Sequence, residues 1–180
     1  MRRSEGGAGR AAPSRSASSA GPNPQTAGAA FALLRLFVGL MFLTSGIEKI
    51  VKGNWFTSPQ LTTTATRIAA AQHGTALQWF SNFLTQTVVP HSALFTWLIV
   101  GGEIVTGLLL TLGLFSRVAT LYALGLNIAY LIGYWTYGTP WQMLNEAFLM
   151  LEVAFLMIGP GRTFGLDTRL ARKYPGWILW

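Results

Sequence analysis

Two carboxylates lie inside long apolar stretches of this sequence, where an isolated charge is costly. Glu103 is the only charged residue between residues 90 and 115, and Glu152 lies in a second apolar stretch nearer the C-terminus. A run of ~20 apolar residues is long enough to cross a bilayer as a helix. An acid placed there must be paired, be protonated or face a polar cavity. The two acids are therefore candidates for proton chemistry inside a membrane.

Two further polar residues are expected to join these acids. At 1.5 Å per residue, Glu103, Asn127 and Glu152 all fall about 15 Å from a span end, near the midplane. Arg35 lies about 8 Å inside the first span, where it either snorkels to the headgroups or pairs with a buried carboxylate. We expect burial to keep one of the acids protonated, which suits a quinone headgroup or a proton route. The alternative interpretation is that these residues only hold helices together by hydrogen bonds.

A second polar group is predicted near the outer membrane surface, on the side where a water-soluble substrate would approach. Its members come from the ends of three predicted spans: Glu48, Lys49, His91, Asn145 and Glu146. No metal site is expected here or elsewhere. The two histidines, His73 and His91, lie outside the membrane interior, so a pair of facing helix histidines that could hold a membrane-embedded haem is missing.

The chain contains no cysteine. This excludes thiol redox chemistry, cysteine-ligated iron–sulfur clusters and covalent c-type haem within the chain. No cofactor is therefore expected to be bound covalently. If the protein takes part in redox chemistry, electrons must reach and leave it through partner subunits or a diffusible carrier such as quinone.

Composition predicts an all-α integral membrane protein built as a four-helix bundle. Of the 180 residues, 51% are hydrophobic and 11% are charged, whereas soluble domains carry ~25% charged residues. The predicted spans cover about residues 29–51, 91–114, 117–137 and 141–158. The long first loop that follows the first span is predicted to be amphipathic and partly helical. It either lies flat on the membrane, caps the bundle or acts as a lid.

The two ends of the chain are predicted to lie in the cytoplasm. Residues 1–28 are rich in Arg, Ser, Gly and Pro and predict a disordered tail, and residues 162–180 form a second tail. Nine Lys and Arg residues lie in these tails and the turn after the second span, against three in the first loop counted from Lys49. This is the positive-inside distribution. The basic residues form no single patch, so nucleic acid is not an expected partner.

Three sequence segments together carry a family resemblance. They are Leu34–Phe42 with Gly46 and Lys49, Gly102–Ile104 with Gly107 and Leu112–Arg117, and Gly159–Arg162 with Gly165–Asp167. Their order and spacing resemble the DoxX family of small four-span membrane proteins of bacteria and archaea. The long aromatic first loop, with Trp55 and Pro90, resembles the DoxD-type branch of that family. The resemblance covers about residues 30–168.

The resemblance implies a function and a set of motif residues. The DoxD-type branch includes the membrane subunit of thiosulfate:quinone oxidoreductase, which implies a place in a bacterial or archaeal cytoplasmic membrane. Arg35, Glu103 and Arg117 carry over as family-motif residues, without an assigned catalytic step.

Three functions stay open at this point. In the first, the chain is a quinone-linked oxidoreductase subunit in which Arg35, Glu103 and Glu152 hold or protonate the quinone. In the second, it is a non-catalytic accessory subunit that anchors a larger respiratory or photosynthetic complex. A transporter or proton channel is the third, but the sequence shows no clear repeat to favour it. The expected partners are the lipid bilayer with other membrane or peripheral subunits, or further copies of the chain.

Overall fold

The structure, a computed structural model, describes residues 24–137, 140–159, 161 and 164–174. The regular structure in these residues is entirely helical, which confirms the all-α prediction. The α-helices are α1 (Pro24–Val51), α2 (Gln60–Gln72), α3 (Gln78–Phe83), α4 (Ser92–Thr96), α5 (Gly102–Leu112), α6 (Ser116–Tyr134), α7 (Pro140–Ile158) and α8 (Asp167–Lys173). Two π-helical turns, Leu84–Val88 and Trp97–Gly101, follow α3 and α4.

Among the residues that the structure describes, three helical segments are long and apolar enough to cross a membrane. They are Gln25–Val51, Ser92–Leu112 and Ser116–Tyr137. The second of them combines α4, a π-helical turn and α5. The fourth predicted span corresponds to α7, which is not one of the three.

The boundaries of both predicted tails differ from the observed helices. α1 begins at Pro24, so the prediction that residues up to 28 are disordered was wrong at its end. The rest of that predicted tail lies outside the described residues. The C-terminal tail contains the short helix α8, which the sequence analysis did not predict. An acid in its first turn and basic residues in its last turn suit the helix dipole.

Helices α1 and α5 pack closely because glycines meet at their interface. A Cβ atom added to Gly39 would lie 2.7 Å from the backbone nitrogen of Thr111, and one added to Gly107 would lie 2.5 Å from that of Leu43. Gly46 lies further along α1 and meets Ile104, earlier in α5. The helices are therefore antiparallel, and the absent side chains let the backbones approach each other.

Helices α6 and α7 are also antiparallel. The start of α6 meets the segment after α7, where the Gly161 N–H donates to Ser116 Oγ at 3.2 Å, while Asn127 and Glu152 meet halfway along both helices. One apolar core contains residues from α1, α5, α6 and α7: Val38, Phe42, Leu110, Ala119, Ala123, Phe148 and Phe155. All four long helices are thus held by the same core.

The first loop is a helical layer rather than an extended connection. Its own apolar cluster consists of Leu61, Ala65, Ala69, Phe80, Leu84 and Val88. Ser81 Oγ donates to the Ala69 carbonyl at 2.8 Å, which joins α3 to α2. Gln72 Nε2 donates to the Ile132 carbonyl at 2.7 Å, which joins α2 to α6. These contacts favour the interpretation of the loop as a cap on one end of the long helices.

The glycine interface gives a first prediction. Replacing Gly107 with alanine should lower the unfolding free energy by about 1–3 kcal/mol, because the new methyl group meets the α1 backbone, which cannot move aside. The matched control is Gly125→Ala, since nothing lies within 4 Å of a Cβ at Gly125. The control should be neutral or stabilising, as alanine favours helix. Thermal unfolding in detergent compares the two variants, and equal melting temperatures would contradict the close packing.

Candidate functional site

Glu103 is the centre of a buried hydrogen-bonded group, called here the Glu103 cluster: Ser45, Lys49, Glu103 and Tyr130. Lys49 Nζ lies 2.7 and 2.6 Å from the two carboxylate oxygens of Glu103. The Tyr130 hydroxyl donates to Oε1 at 2.7 Å, and Ser45 Oγ donates to Oε2 at 3.4 Å. Only 1% of the Glu103 side chain is exposed, against 18% for Lys49. A buried carboxylate is thus matched by one cation and two hydroxyl donors.

Three long helices supply this cluster. Lys49 comes from the last turn of α1, Glu103 from the first turn of α5 and Tyr130 from the C-terminal half of α6. The antiparallel packing of α1 and α5 brings the first two together. Ser45, one turn before Lys49 on α1, accepts a hydrogen bond from Lys49 Nζ at 2.8 Å and so orients the ammonium group.

A π-helical turn directly precedes the carboxylate. The turn Trp97–Gly101 ends two residues before Glu103, and such turns inside helices often mark functional sites. The Tyr122 hydroxyl donates to the Leu98 carbonyl within this turn. Gly102 makes room for that phenol, because a Cβ at this position would collide with it. The wider π-helical turn therefore affects the rotational position of Glu103 around the helix axis.

The cluster combines groups that exchange protons. Lys49 also lies over two aromatic rings, 5.5 Å from the ring centre of Trp55 and 5.8 Å from that of Tyr130. An ammonium, a carboxylate and a phenol in hydrogen-bond contact can pass a proton among themselves, and the ammonium or phenol can donate one to a ligand. A membrane interior raises the cost of separating these charges, so the three groups act as one unit.

A second buried pair lies next to this cluster. Asn127 Nδ2 donates to Glu152 Oε1, and both side chains are buried. Within the described part of the chain, Glu152 Oε2 has no hydrogen-bond partner. Phe148 and Phe155, its neighbours along α7, belong to the apolar core. Since an unpaired charge here would be very costly, a protonated Glu152 fits the site best.

The two buried acids are thus separate but adjacent. Asn127 and Tyr130 are three residues apart on α6, a rise of about 4.5 Å, and lie on the same side of the helix. Asn127 donates to Glu152 and Tyr130 donates to Glu103, so the two acids have different hydrogen-bond partners. The structure places Glu103, Asn127 and Glu152 at neighbouring levels of the bundle, with Tyr130 and Lys49 rather than Arg35 as the partners of Glu103.

Arg35 does not approach these acids, and that expectation was wrong. It lies 14 residues before Lys49 on α1, about 21 Å along the helix. Its side chain is 3% exposed and its Nη2 donates to the Phe164 carbonyl at 3.3 Å. The carboxylate with which it interacts electrostatically is Asp167. Gly113, which has no side chain, leaves room for the guanidinium group.

Asp167 organises this opposite end of the helices. Its Oδ1 accepts a hydrogen bond from the Phe115 N–H at 2.7 Å, and its Oδ2 accepts one from the Ser116 N–H at 2.9 Å. The fully buried carboxylate therefore caps the positive N-terminus of α6. The motif residue Arg117 lies half-buried at the second position of the same helix. Arg35 and Arg117 thus belong to this end, while Glu103 lies towards the other.

The predicted outer group does not form a single site. Glu48 is exposed and paired with Lys52 at 2.9 Å, and Glu146 is exposed and accepts a hydrogen bond from Gln142. His91 is exposed, with Nδ1 2.9 Å from the Thr87 carbonyl. Asn145 is half-buried on α7. Of these five residues, Lys49 turns inward. Its side chain is long enough to reach the buried Glu103, and this ion pair favours the inward position over an exposed one.

Sequence reasoning missed the partners of Glu103. Neither Tyr130 nor Ser45 was among the predicted site residues, and Lys49 was assigned to the outer group. The signal available was the four-residue spacing of Ser45 and Lys49, which places them on one helix face. Asp167 was noted as part of a motif, without its capping role. No metal-binding group of His, Cys, Asp and Glu occurs among the described residues.

These features define an apolar helical membrane protein with ionisable groups buried between its helices. The family model described as the TQO small subunit DoxD matches residues 31–179. The chain belongs to this DoxD family, and the resemblance seen in the sequence is confirmed. At family level it is a membrane subunit of thiosulfate:quinone oxidoreductase, abbreviated TQO. No curated protein and no solved structure matches the chain significantly.

The ion pair gives a second prediction. Lys49→Met or Glu103→Leu alone should lower the unfolding free energy by about 3–5 kcal/mol, because each leaves an uncompensated buried charge. The double variant should be clearly more stable than either single variant, since two apolar side chains need no partner. Unfolding in detergent measures all four proteins, with Glu48→Gln in the exposed pair as a control that should not change stability. Additive losses in the double variant would show that the pair is not coupled.

Proposed function

We propose that this protein is a quinone-linked oxidoreductase subunit that passes electrons from thiosulfate or a related sulfur compound to membrane quinone. The observation that supports it most is the Glu103 cluster, an acid–base group placed between lipid-facing helices. Quinone, when bound, accepts two electrons and two protons and becomes quinol. In this proposal the electrons come from the sulfur compound, and the chain supplies the protons on the lipid side, where water is scarce.

The residues of the cluster can supply protons to a quinone that is held nearby. The Lys49 ammonium and the Tyr130 phenol are both hydrogen-bond donors, and Glu103 holds them in place. A proton leaves Lys49 Nζ or the Tyr130 hydroxyl, and the negative charge of Glu103 favours its replacement from water. Glu152, with one oxygen that lacks a partner among the described residues, stores a further proton near Asn127. Arg35 has no part in this step because it lies at the other end of α1.

We further infer that α7 is the fourth membrane crossing of a four-helix bundle. α6 and α7 have 19 residues each, about 28 Å of helix, and they run antiparallel along their whole length. A neighbour of equal length that returns to the starting end of α6 crosses the same thickness of lipid. With the positive-inside distribution, both termini then lie in the cytoplasm of a bacterial or archaeal cell and the first loop lies outside.

The topology can be tested by cysteine labelling. The natural chain has no cysteine, so Lys52→Cys and Arg172→Cys each carry a single, exposed thiol. A membrane-impermeant maleimide added to intact cells should label Lys52→Cys and leave Arg172→Cys unlabelled until the membrane is opened. Labelling of Arg172→Cys from outside would contradict a fourth crossing or the proposed orientation.

A second candidate function is a non-catalytic anchoring subunit, and a surface feature of α7 favours it. Met143, Met150 and Met157 follow each other at seven-residue spacing and are 73%, 70% and 80% exposed. Flexible methionine side chains adapt to many partner surfaces, so this stripe suits contact with another membrane helix. Co-purification in mild detergent tests this candidate, because an anchoring subunit retains a stoichiometric partner. Activity of that complex separates the candidates, since an anchoring role predicts turnover that does not depend on Glu103.

The catalytic proposal makes a third mutational prediction. Glu103→Gln keeps the shape of the side chain but removes its charge and its ability to exchange protons. Thiosulfate-dependent quinone reduction by the purified complex should fall by about a hundredfold or more, the usual contribution of a positioned acid or base. Glu146→Gln, an exposed site on α7, should keep full activity. Turnover that is unchanged in Glu103→Gln, in a complex that still assembles, would remove the cluster from the mechanism.

A further inference from the structure

A cavity of about 230 Å³ lies between the segment after α1 and the start of the second span. Its walls include three aromatic side chains, Trp55, Phe56 and Trp97. The rings of Phe56 and Trp97 lie with their centres 4.6 Å apart. Trp97 is five residues into the span that starts at Ser92, about 8 Å at 1.5 Å per residue. The cavity therefore lies at the depth of a membrane interface.

The polar part of the cavity consists of hydroxyl groups. Ser58 Oγ donates to the Asn54 carbonyl at 2.9 Å, whereas Thr62, Ser92 and Thr96 are lining residues whose side chains make no hydrogen bond with other described residues. Thr96 is 6% exposed, so water has little access to it apart from the cavity. A hydroxyl that lines such a cavity can donate a hydrogen bond to a ligand that accepts one.

The cavity is one side chain away from the Glu103 cluster. Trp55 forms part of the cavity wall, and Lys49 Nζ lies 5.5 Å from the centre of its ring. Gly53 allows the indole to sit against the end of α1, because a Cβ at that position would lie 2.6 Å from Trp55 Cδ1. A ligand in the cavity would thus share the Trp55 ring with the Lys49 ammonium.

The chemistry of the walls selects the class of ligand. The lining residues include no charged side chain, so a sulfur oxyanion such as thiosulfate would lose its hydration without gaining a counter-charge, which is very costly. A flat, uncharged ring with carbonyl oxygens matches both the aromatic walls and the free hydroxyl donors. The volume of the cavity also suits a single ring rather than a larger molecule, because drug-sized ligands occupy ~300–1,000 Å³.

We propose that this cavity binds the ring of the membrane quinone, with the hydroxyls of Thr62, Ser92 and Thr96 as donors to its carbonyl oxygens. The inference rests on the proposed function and names the place where the ring is held. Trp97, which is 66% exposed, lies where an isoprenoid tail passes from the cavity to the lipid. The cavity holds the ring, while the Glu103 cluster behind Trp55 provides the protons.

The test uses the full-length protein in lipid nanodiscs and a short-chain quinone that carries a photoreactive azide. Mass spectrometry of the irradiated protein should find the label in residues 55–62 and 92–97. Ala93→Trp, which fills the cavity from its wall, should abolish the label. Thr96→Val, which removes one hydroxyl at constant shape, should weaken quinone binding about three- to tenfold. Thr44→Val is the matched control, since Thr44 is exposed on α1 and bonded to its own helix.

The outcomes separate the cavity from the proposed function. A label elsewhere, or one that survives Ala93→Trp, would overturn the cavity as the ring site and leave the function to the activity assay. Displacement of the label by thiosulfate at low concentration would overturn the assignment of an uncharged ligand. Glu103→Gln should keep the label and lose turnover. If that variant keeps full turnover while the label stays in the cavity, the protonation role fails and the binding site stands.

Discussion

The ion pair of Lys49 and Glu103 constrains most of what surrounds it. A charge in an apolar helix layer is tolerated only when its partner is close and its remaining hydrogen bonds are made. Glu103 obtains these from two neighbouring helices, α1 and α6, and each contact fixes one of them against α5. Lys49 sets how deep α1 lies beside α5, and Tyr130 sets how deep α6 lies beside both. The polar group thus determines the register of helices whose apolar surfaces alone would allow sliding.

Close backbone packing makes this arrangement possible. The glycines at the α1–α5 interface bring the helix axes close enough for Lys49 to reach Glu103 while its ammonium group lies over the Trp55 ring. The π-helical turn before Glu103 adds a second adjustment, since its wider turn changes the rotational position of the residues that follow it around the helix axis. The same few residues therefore determine both the helix packing and the geometry of the Glu103 cluster.

Much of the fold was readable from the sequence, because long apolar stretches and turn glycines identify helices directly. The need of Glu103 for a partner was equally clear from its surroundings. The identity of that partner was not, since Arg35 and Lys49 occupy the same face of α1 and either could have served. Only the packing of Gly39 and Gly46 against α5 decides between them, and such a register depends on contacts between distant segments. The separate roles of Glu103 and Glu152 were hidden for the same reason.

The cap that Asp167 places on α6 has a consequence for how the protein is made. The N–H groups that it binds precede it by 52 and 51 residues, so the first turn of α6 leaves the ribosome long before its cap exists. The partners of Arg35, Phe164 and Asp167, lie in the same late segment and are also synthesised long after it. Until synthesis reaches that point, the N–H groups at the start of α6 and the Arg35 guanidinium must form their hydrogen bonds with other partners, such as water. The end of the molecule where Arg35 and the start of α6 meet the segment after α7 is therefore the last part to close.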